Sequence, residues 1–242
     1  MEELEKSSLI KHLDALRALL MELLCAAVIG TLITYALAYE PVQSVALAPL
    51  GVFRITPVMI GVTEAFTVRL KLSFFFGLFA ALPVVIVMIL RFIFPALYKG
   101  EKRAAVVISA AGTGLFIAGV VASYRYVLPM ALRFFLVEQA QGFSVVLSYD
   151  RYFSFFLNFL WPFGLLTELP LVVFILTRAN LIRPETLKKG RRCVVVAAFI
   201  IGAFLTPPDV VSQIMLALPV LAFYELSIFV SAITRRFMKK NS

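Results

Sequence analysis

Six long apolar runs organise the chain, at 18–39, 72–97, 104–124, 152–177, 193–208 and 210–234, and charged residues gather between them. A helix that crosses the hydrocarbon of a bilayer needs about 20 mostly apolar residues, so each run predicts a transmembrane helix. The interruptions are few. Glu22 falls in the first run, Arg91 near the end of the second, Glu168 deep in the fourth and Glu225 midway along the sixth, while the third carries no charge. The fifth run is short: at about 1.5 Å per residue it covers roughly 24 Å of a hydrocarbon layer about 30 Å thick. Pro207-Pro208-Asp209 ends it, and Asp209 is placed to cap the helix that follows. The fifth helix therefore either sits in locally thinned lipid or does not cross fully, and the last two helices are expected to be short and to form a tight hairpin, shallower than their neighbours. The predicted fold class is an all-α membrane protein with six transmembrane helices in one transmembrane domain covering 1–242.

Charge gives this pattern a direction. With six spans, 17 of the 23 Lys and Arg residues fall in the amino-terminal, carboxyl-terminal and 2–3 and 4–5 segments. Basic loops stay in the cytoplasm, so both termini are predicted to be cytoplasmic. The net charge of +9 is thus a topology signal. Split over several short loops, it does not make a nucleic-acid surface. Composition agrees with a bilayer: 62% of the 242 residues are apolar and 15% charged, and the mean hydropathy is +0.97. A soluble domain carries about 25% charged and 45–50% apolar residues. The acidic start, with Glu2, Glu3, Glu5 and Asp14, does not read as a cleaved secretory signal. The outer segments 40–71 and 125–151 carry Val45, Phe53, Val58 and Val145, and predict short helices or caps on the outer face.

Candidate chemistry is sparse. One histidine, His12, and two cysteines within apolar runs, Cys25 and Cys193, leave no ligand set for a metal or haem centre, and no cofactor is expected. No nucleophile elbow, phosphate loop or zinc-protease motif occurs, so an enzyme is not expected. Gly112, Gly114 and Gly119 predict close helix approach. The carboxylates carry more information. An ionisable group at a helix centre costs roughly 2.5–3.5 kcal/mol on insertion scales, so it must face protein, a partner or water. Glu168, flanked by Pro162 and Pro170, reads either as a protonated residue bonded inside the bundle or as a polar working site, in a helix bent by the prolines. Glu225 reads as paired with a polar neighbour, Glu22 as snorkelling or surface-paired, and Glu101 as a first-turn acid of the third span. From the residues alone, a secondary transporter of a small solute or ion stays open.

Five motifs, in order along the chain, resemble the TatC family of the twin-arginine protein translocase. Leu9-Ile10-Lys11-His12-Leu13-Asp14-Ala15-Leu16-Arg17 resembles its HLxELR element, and Ala48-Pro49-Leu50 its outer-loop proline motif. The stretch from Phe92 through Pro95-Ala96-Leu97-Tyr98 to Glu101-Lys102-Arg103 is similar to its FxxPALYxxE(K/R)R loop. Phe163 to Pro170 resembles its FGxxFExP segment, and Thr206-Pro207-Pro208-Asp209 with Ser212-Gln213 its TPPDxxSQ hairpin. The resemblance implies a core subunit of the cytoplasmic (inner) membrane that recognises signal peptides bearing paired arginines. It implies transport of folded precursors with single-span TatA- and TatB-type partners, driven by the proton-motive force, in a complex containing several copies. It implies Glu101 as the main arginine-binding carboxylate, with Phe92, Arg17, Asp14 and Glu22 around it. Glu168 becomes the intramembrane polar site, and Pro49, Pro95, Asp209, Gln213 and Glu225 serve structure and partner docking. One position departs from the pattern. Ala15 stands where the family has a glutamate that helps bind the arginines, and either Asp14 or Glu22 is expected to take its place or Glu101 to work more alone. Glu22 lies seven residues on, on nearly the same helix face and about 10 Å deeper.

Overall fold

The computed structural model describes the backbone of residues 2–93, 102–138, 140, 145–205 and 210–240, and among them the side chains of all but 2–12, 93, 102–105, 205, 212, 239 and 240. Regular structure among these residues is helical. The exception is one isolated bridge, in which Val58 N–H donates to the Leu147 carbonyl and Tyr149 N–H to the Val58 carbonyl, each at 2.9 Å.

The first helix, α1 (Glu2–Ile33), passes through a π-helical turn (Thr34–Ala38) into α2 (Tyr39–Gly51). Helix α3 (Glu64–Ile93) follows, then α4 (Lys102–Ala122), a second π-turn (Ser123–Val127), the short α5 (Leu128–Arg133) and a third π-turn (Phe134–Glu138). The carboxyl-terminal half holds α6 (Tyr149–Thr167), α7 (Leu169–Arg178), α8 (Pro184–Leu205) and α9 (Val210–Lys240). The first two π-turns have a local cause. Pro41 and Pro129 lack the N–H that the carbonyls of Leu37 and Arg125 would otherwise receive. Each of those carbonyls lies within the π-turn, which absorbs the defect without ending the helix.

Among the described residues, five helical stretches are long and apolar enough to cross a membrane: Leu13–Gly51, Glu64–Phe92, Val106–Glu138, Tyr149–Arg178 and Gln213–Met238. At most 39% of any of their apolar windows is buried within the chain, so their outward faces are matched to lipid. Helix α8 is not among the five. It starts well before its apolar part, with Glu185, Lys188, Lys189, Arg191 and Arg192 in its first half. The last helix corrects the expectation of two short final elements: α9 runs for 31 residues. Arg235, Arg236, Lys239 and Lys240 are good helix formers beyond the apolar part, so nothing stops the helix where the hydrophobicity ends. The segment 40–71 also differs from an outer loop of short helices, because α2 extends the first helix to Gly51 and α3 begins at Glu64.

The chain divides into two compact units, Met1–Ala46 with Gly61–Thr113, and Leu47–Ile60 with Gly114–Ser242. In the first, α1 packs along α3, with Val68, Leu72 and Ser73 fully buried. Gly30 and Gly77 set how closely the two helices approach. A Cβ at either would run into backbone of the other. Gly77→Val is therefore expected to force these helices apart and destabilise the first unit by about 1–3 kcal/mol, as overpacking does. Thermal unfolding of the detergent-solubilised chain measures this, and an unchanged midpoint would contradict the packing. Ser109 Oγ donates to the Pro83 carbonyl (2.8 Å), tying α4 to α3.

The second unit has an aromatic core. Helix α6 buries Tyr152, Phe153, Phe156, Phe159 and Phe163. Gly119 of α4 fits against Thr167 and Phe163, and Gly164 of α6 fits against the Phe116 ring, whereas Gly114 meets nothing within 4 Å. Of the glycines expected to permit close approach, Gly119 does so here and Gly114 does not. Ser123 Oγ donates to the Phe159 carbonyl (3.0 Å), and Thr177 and Ser231 share a 2.8 Å hydroxyl bond between α7 and α9. Asn180 ends α7 in the left-handed region (φ 59°), a conformation asparagine tolerates better than most residues.

Candidate functional site

Polar chemistry in the first unit collects near the amino-terminal part of α1 and the end of α3. Asp14 and Arg17 are exposed on α1. Two turns further, Glu22 meets Arg91 of α3, whose Nη2 donates to both carboxylate oxygens at 2.6 Å. Both side chains remain partly open, 37% for Glu22 and 50% for Arg91. A surface pair was one of the two readings of Glu22, but its partner, 69 residues away, has no sequence signal. Phe92, the residue after Arg91, is half-buried. Glu101 and Pro95, expected beside Phe92, lie outside the described residues.

At the far end of α1, Arg69 of α3 donates from Nη2 to the Tyr35 carbonyl (3.1 Å). Its guanidinium lies 4.3 Å and 4.7 Å from the ring centroids of Tyr35 and Tyr39. This clamp fastens α3 to the first π-turn. Sequence reasoning did not single out Arg69; two tyrosines four apart before a proline were the available hint.

Glu168 occupies the break between α6 and α7, with φ −76° and ψ −19°. Pro170 cannot supply the N–H that would carry the helix through, so the fourth span is interrupted at the carboxylate. Pro162, within α6, does not interrupt it. The Oε1 atom of Glu168 is buried with no hydrogen-bond partner among the described residues. A carboxyl oxygen left this way is costly, and the cost falls when a donor arrives from outside the chain.

The remaining expected residues tie elements of the second unit together. Pro49 is buried in α2. Gln213 donates from Nε2 to the Phe199 carbonyl at 2.6 Å, joining α9 to α8. Glu225 accepts from Arg191 Nη2 at 2.6 Å, and the adjacent Tyr224 hydroxyl donates to the Leu187 carbonyl at 2.7 Å. These two contacts fasten the basic half of α8 to α9. Asp209 lies outside the described residues.

The helices and these sites define a multi-pass, all-helical membrane protein whose polar chemistry is built from carboxylates and guanidiniums. The chain matches the family described as Sec-independent protein translocase protein (TatC) over residues 11–219, and it belongs to that family. It is 38% identical to the protein of that name from Carboxydothermus hydrogenoformans, covering 93% of this chain and 92% of the relative. Its identity to the one from Aquifex aeolicus is 35%, covering 96% and 98%. It also resembles a crystal structure of the twin arginine translocase receptor TatC, with a TM-score of 0.81 at 34% identity, covering 93% of this chain and 99% of that one. The same receptor in the detergent DDM gives a TM-score of 0.82 at 35% identity. Family and helices together make this a translocase component of the cytoplasmic membrane.

Proposed function

We propose that the chain is the core receptor subunit of a twin-arginine translocase. It binds twin-arginine signal peptides at the cytoplasmic face and, with TatA- and TatB-type single-span subunits, moves folded precursors across the membrane using the proton-motive force. The observation that carries this reading is the likeness to the twin arginine translocase receptor along nearly the full length of both chains. The chain acts as one transmembrane domain with six spans and both termini in the cytoplasm, and several copies join in the working complex. The fifth span, the apolar part of α8, is short and sits in locally thinned lipid.

Glu101 is the principal acceptor for the paired arginines. Phe92 supplies an apolar contact, and Asp14, Arg17 and Glu22 shape the surrounding charge. Carboxylates suit this task because they accept two parallel bonds from each guanidinium. Glu168 is the intramembrane polar site that meets the hydrophobic part of the signal or a partner helix. Pro49, Pro95, Asp209, Gln213 and Glu225 hold the outer segment, the inner loop and the α8–α9 pair in the form that partners dock against.

A photo-crosslinker placed at position 101 in full-length chain in membranes tests this. It is expected to capture a twin-arginine precursor at the residues flanking the arginines, and Glu101→Gln is expected to weaken precursor binding by at least about tenfold, the scale of one charge-assisted pair. Capture of precursors regardless of their arginines would refute the reading.

A further inference from the structure

A cavity of about 580 Å³ lies between α1 and α3 in the first unit, lined by Met21, Cys25, Ile29, Ala81 and Val84 among other mostly apolar residues, with Glu22 at one end. Its α1 side runs from Met21 to Thr34, about 20 Å along the helix. The carboxylate at its end is already held by a guanidinium, that of Arg91, at 2.6 Å. We infer that this groove is a second signal-peptide subsite, in which Arg91 is a built-in stand-in ligand that an incoming arginine displaces from Glu22, while the apolar run behind that arginine lies along α1 and α3.

Three observations support one occupant. The ligand chemistry of Glu22 is displayed by the residue it binds: a guanidinium bonded to both oxygens. The pair is partly open, so exchange needs no unfolding. The groove length also fits, because an apolar signal region of about 7–15 residues is about 10–22 Å long as a helix. Arg91 keeps Glu22 paired in the unloaded chain, so an incoming cation must displace it.

This inference rests on the receptor reading, and the test separates the two. Full-length chain in nanodiscs is titrated with a fluorescent twin-arginine signal peptide. Removing the stand-in by Arg91→Gln is expected to tighten binding about three- to tenfold, the scale of one half-exposed charge-assisted contact. A gain of affinity cannot come from a misfolded variant. Glu22→Gln is expected to weaken binding by a similar factor, and in the double variant Arg91→Gln brings no gain. A photo-crosslinker at Ala81 is expected to reach the apolar run of the peptide. If Arg91→Gln binds no more tightly while Glu101→Gln still loses affinity, the groove is not a subsite and the receptor reading stands. If Ala81 captures lipid alone with peptide present, the groove holds an acyl chain and the inference falls. Equal binding of twin-arginine and twin-lysine peptides by the unaltered chain would remove the receptor reading itself.

Discussion

Glu168→Leu is expected to reduce precursor transport by at least about tenfold, equivalent to about 1.4 kcal/mol of lost coupling, while leaving the chain folded and membrane-inserted. The two halves of this prediction come from the same atom. Oε1 is buried without a hydrogen-bond partner among the described residues, so removing it breaks no bond there within the chain. Replacing a carboxyl group by leucine at depth also lowers the insertion cost, by roughly 2.5–3.5 kcal/mol on insertion scales. Stability is thus expected to be unchanged or higher, and any transport defect belongs to work done by the carboxyl group. The measurements are export of a folded reporter and thermal unfolding of the purified variant. Normal export would make Glu168 a structural residue only. A defect accompanied by loss of folded chain would point instead to the break at Pro170, which Glu168→Gln tests because it keeps a polar side chain of the same length.

Exchanging both arginines of a precursor signal for lysines is expected to weaken binding to this chain about 100-fold. Each exchange removes one of two parallel bonds to a carboxylate, at about 1.5 kcal/mol each, and the pair sums to about 3 kcal/mol. The net charge of the peptide does not change, so long-range attraction to the acidic site is preserved and the loss reports geometry. Equilibrium titration at two ionic strengths measures it. A lysine signal that matched the arginine signal would mean that the site reads charge alone, as a point-charge acceptor does.

Much of the helical framework was legible because insertion depends on local composition. A run of apolar side chains lowers the cost of crossing lipid wherever it occurs, so the first and fourth apolar runs each lie within one of the stretches able to span, and the second, third and sixth each overlap one. The interruption at Glu168 was legible for the same local reason, since Pro170 withholds a backbone donor whatever surrounds it. Helix ends beyond the apolar runs were less so. Hydrophobicity stops at 234, but the helix continues through Arg235 and Arg236 to Lys240, because backbone hydrogen bonding does not require apolar side chains. Helix α8 likewise begins at Pro184, well before its apolar part.

The candidate sites divide in the same way. The motifs around Asp14, Glu101, Glu168 and Gln213 stand in the sequence as written and carry the family. What those side chains touch does not. Gln213 proves to be a tie to the Phe199 carbonyl, and Glu225 a partner of Arg191 in the preceding helix. Nothing in the spacing of Glu22 and Arg91 marks them as a pair, and no motif contains Arg69 with its two tyrosines.

The order of residues by itself determined which segments can live in lipid, where prolines interrupt them, and to which family the chain belongs, because each of these depends on neighbours along the backbone. The folded chain decided which guanidinium meets which carboxylate, which glycines bring helices into contact, and that one oxygen of Glu168 is left without a donor among the described residues. Those outcomes depend on the rotation and offset of helices dozens of residues apart, and a charge reads its surroundings only through space.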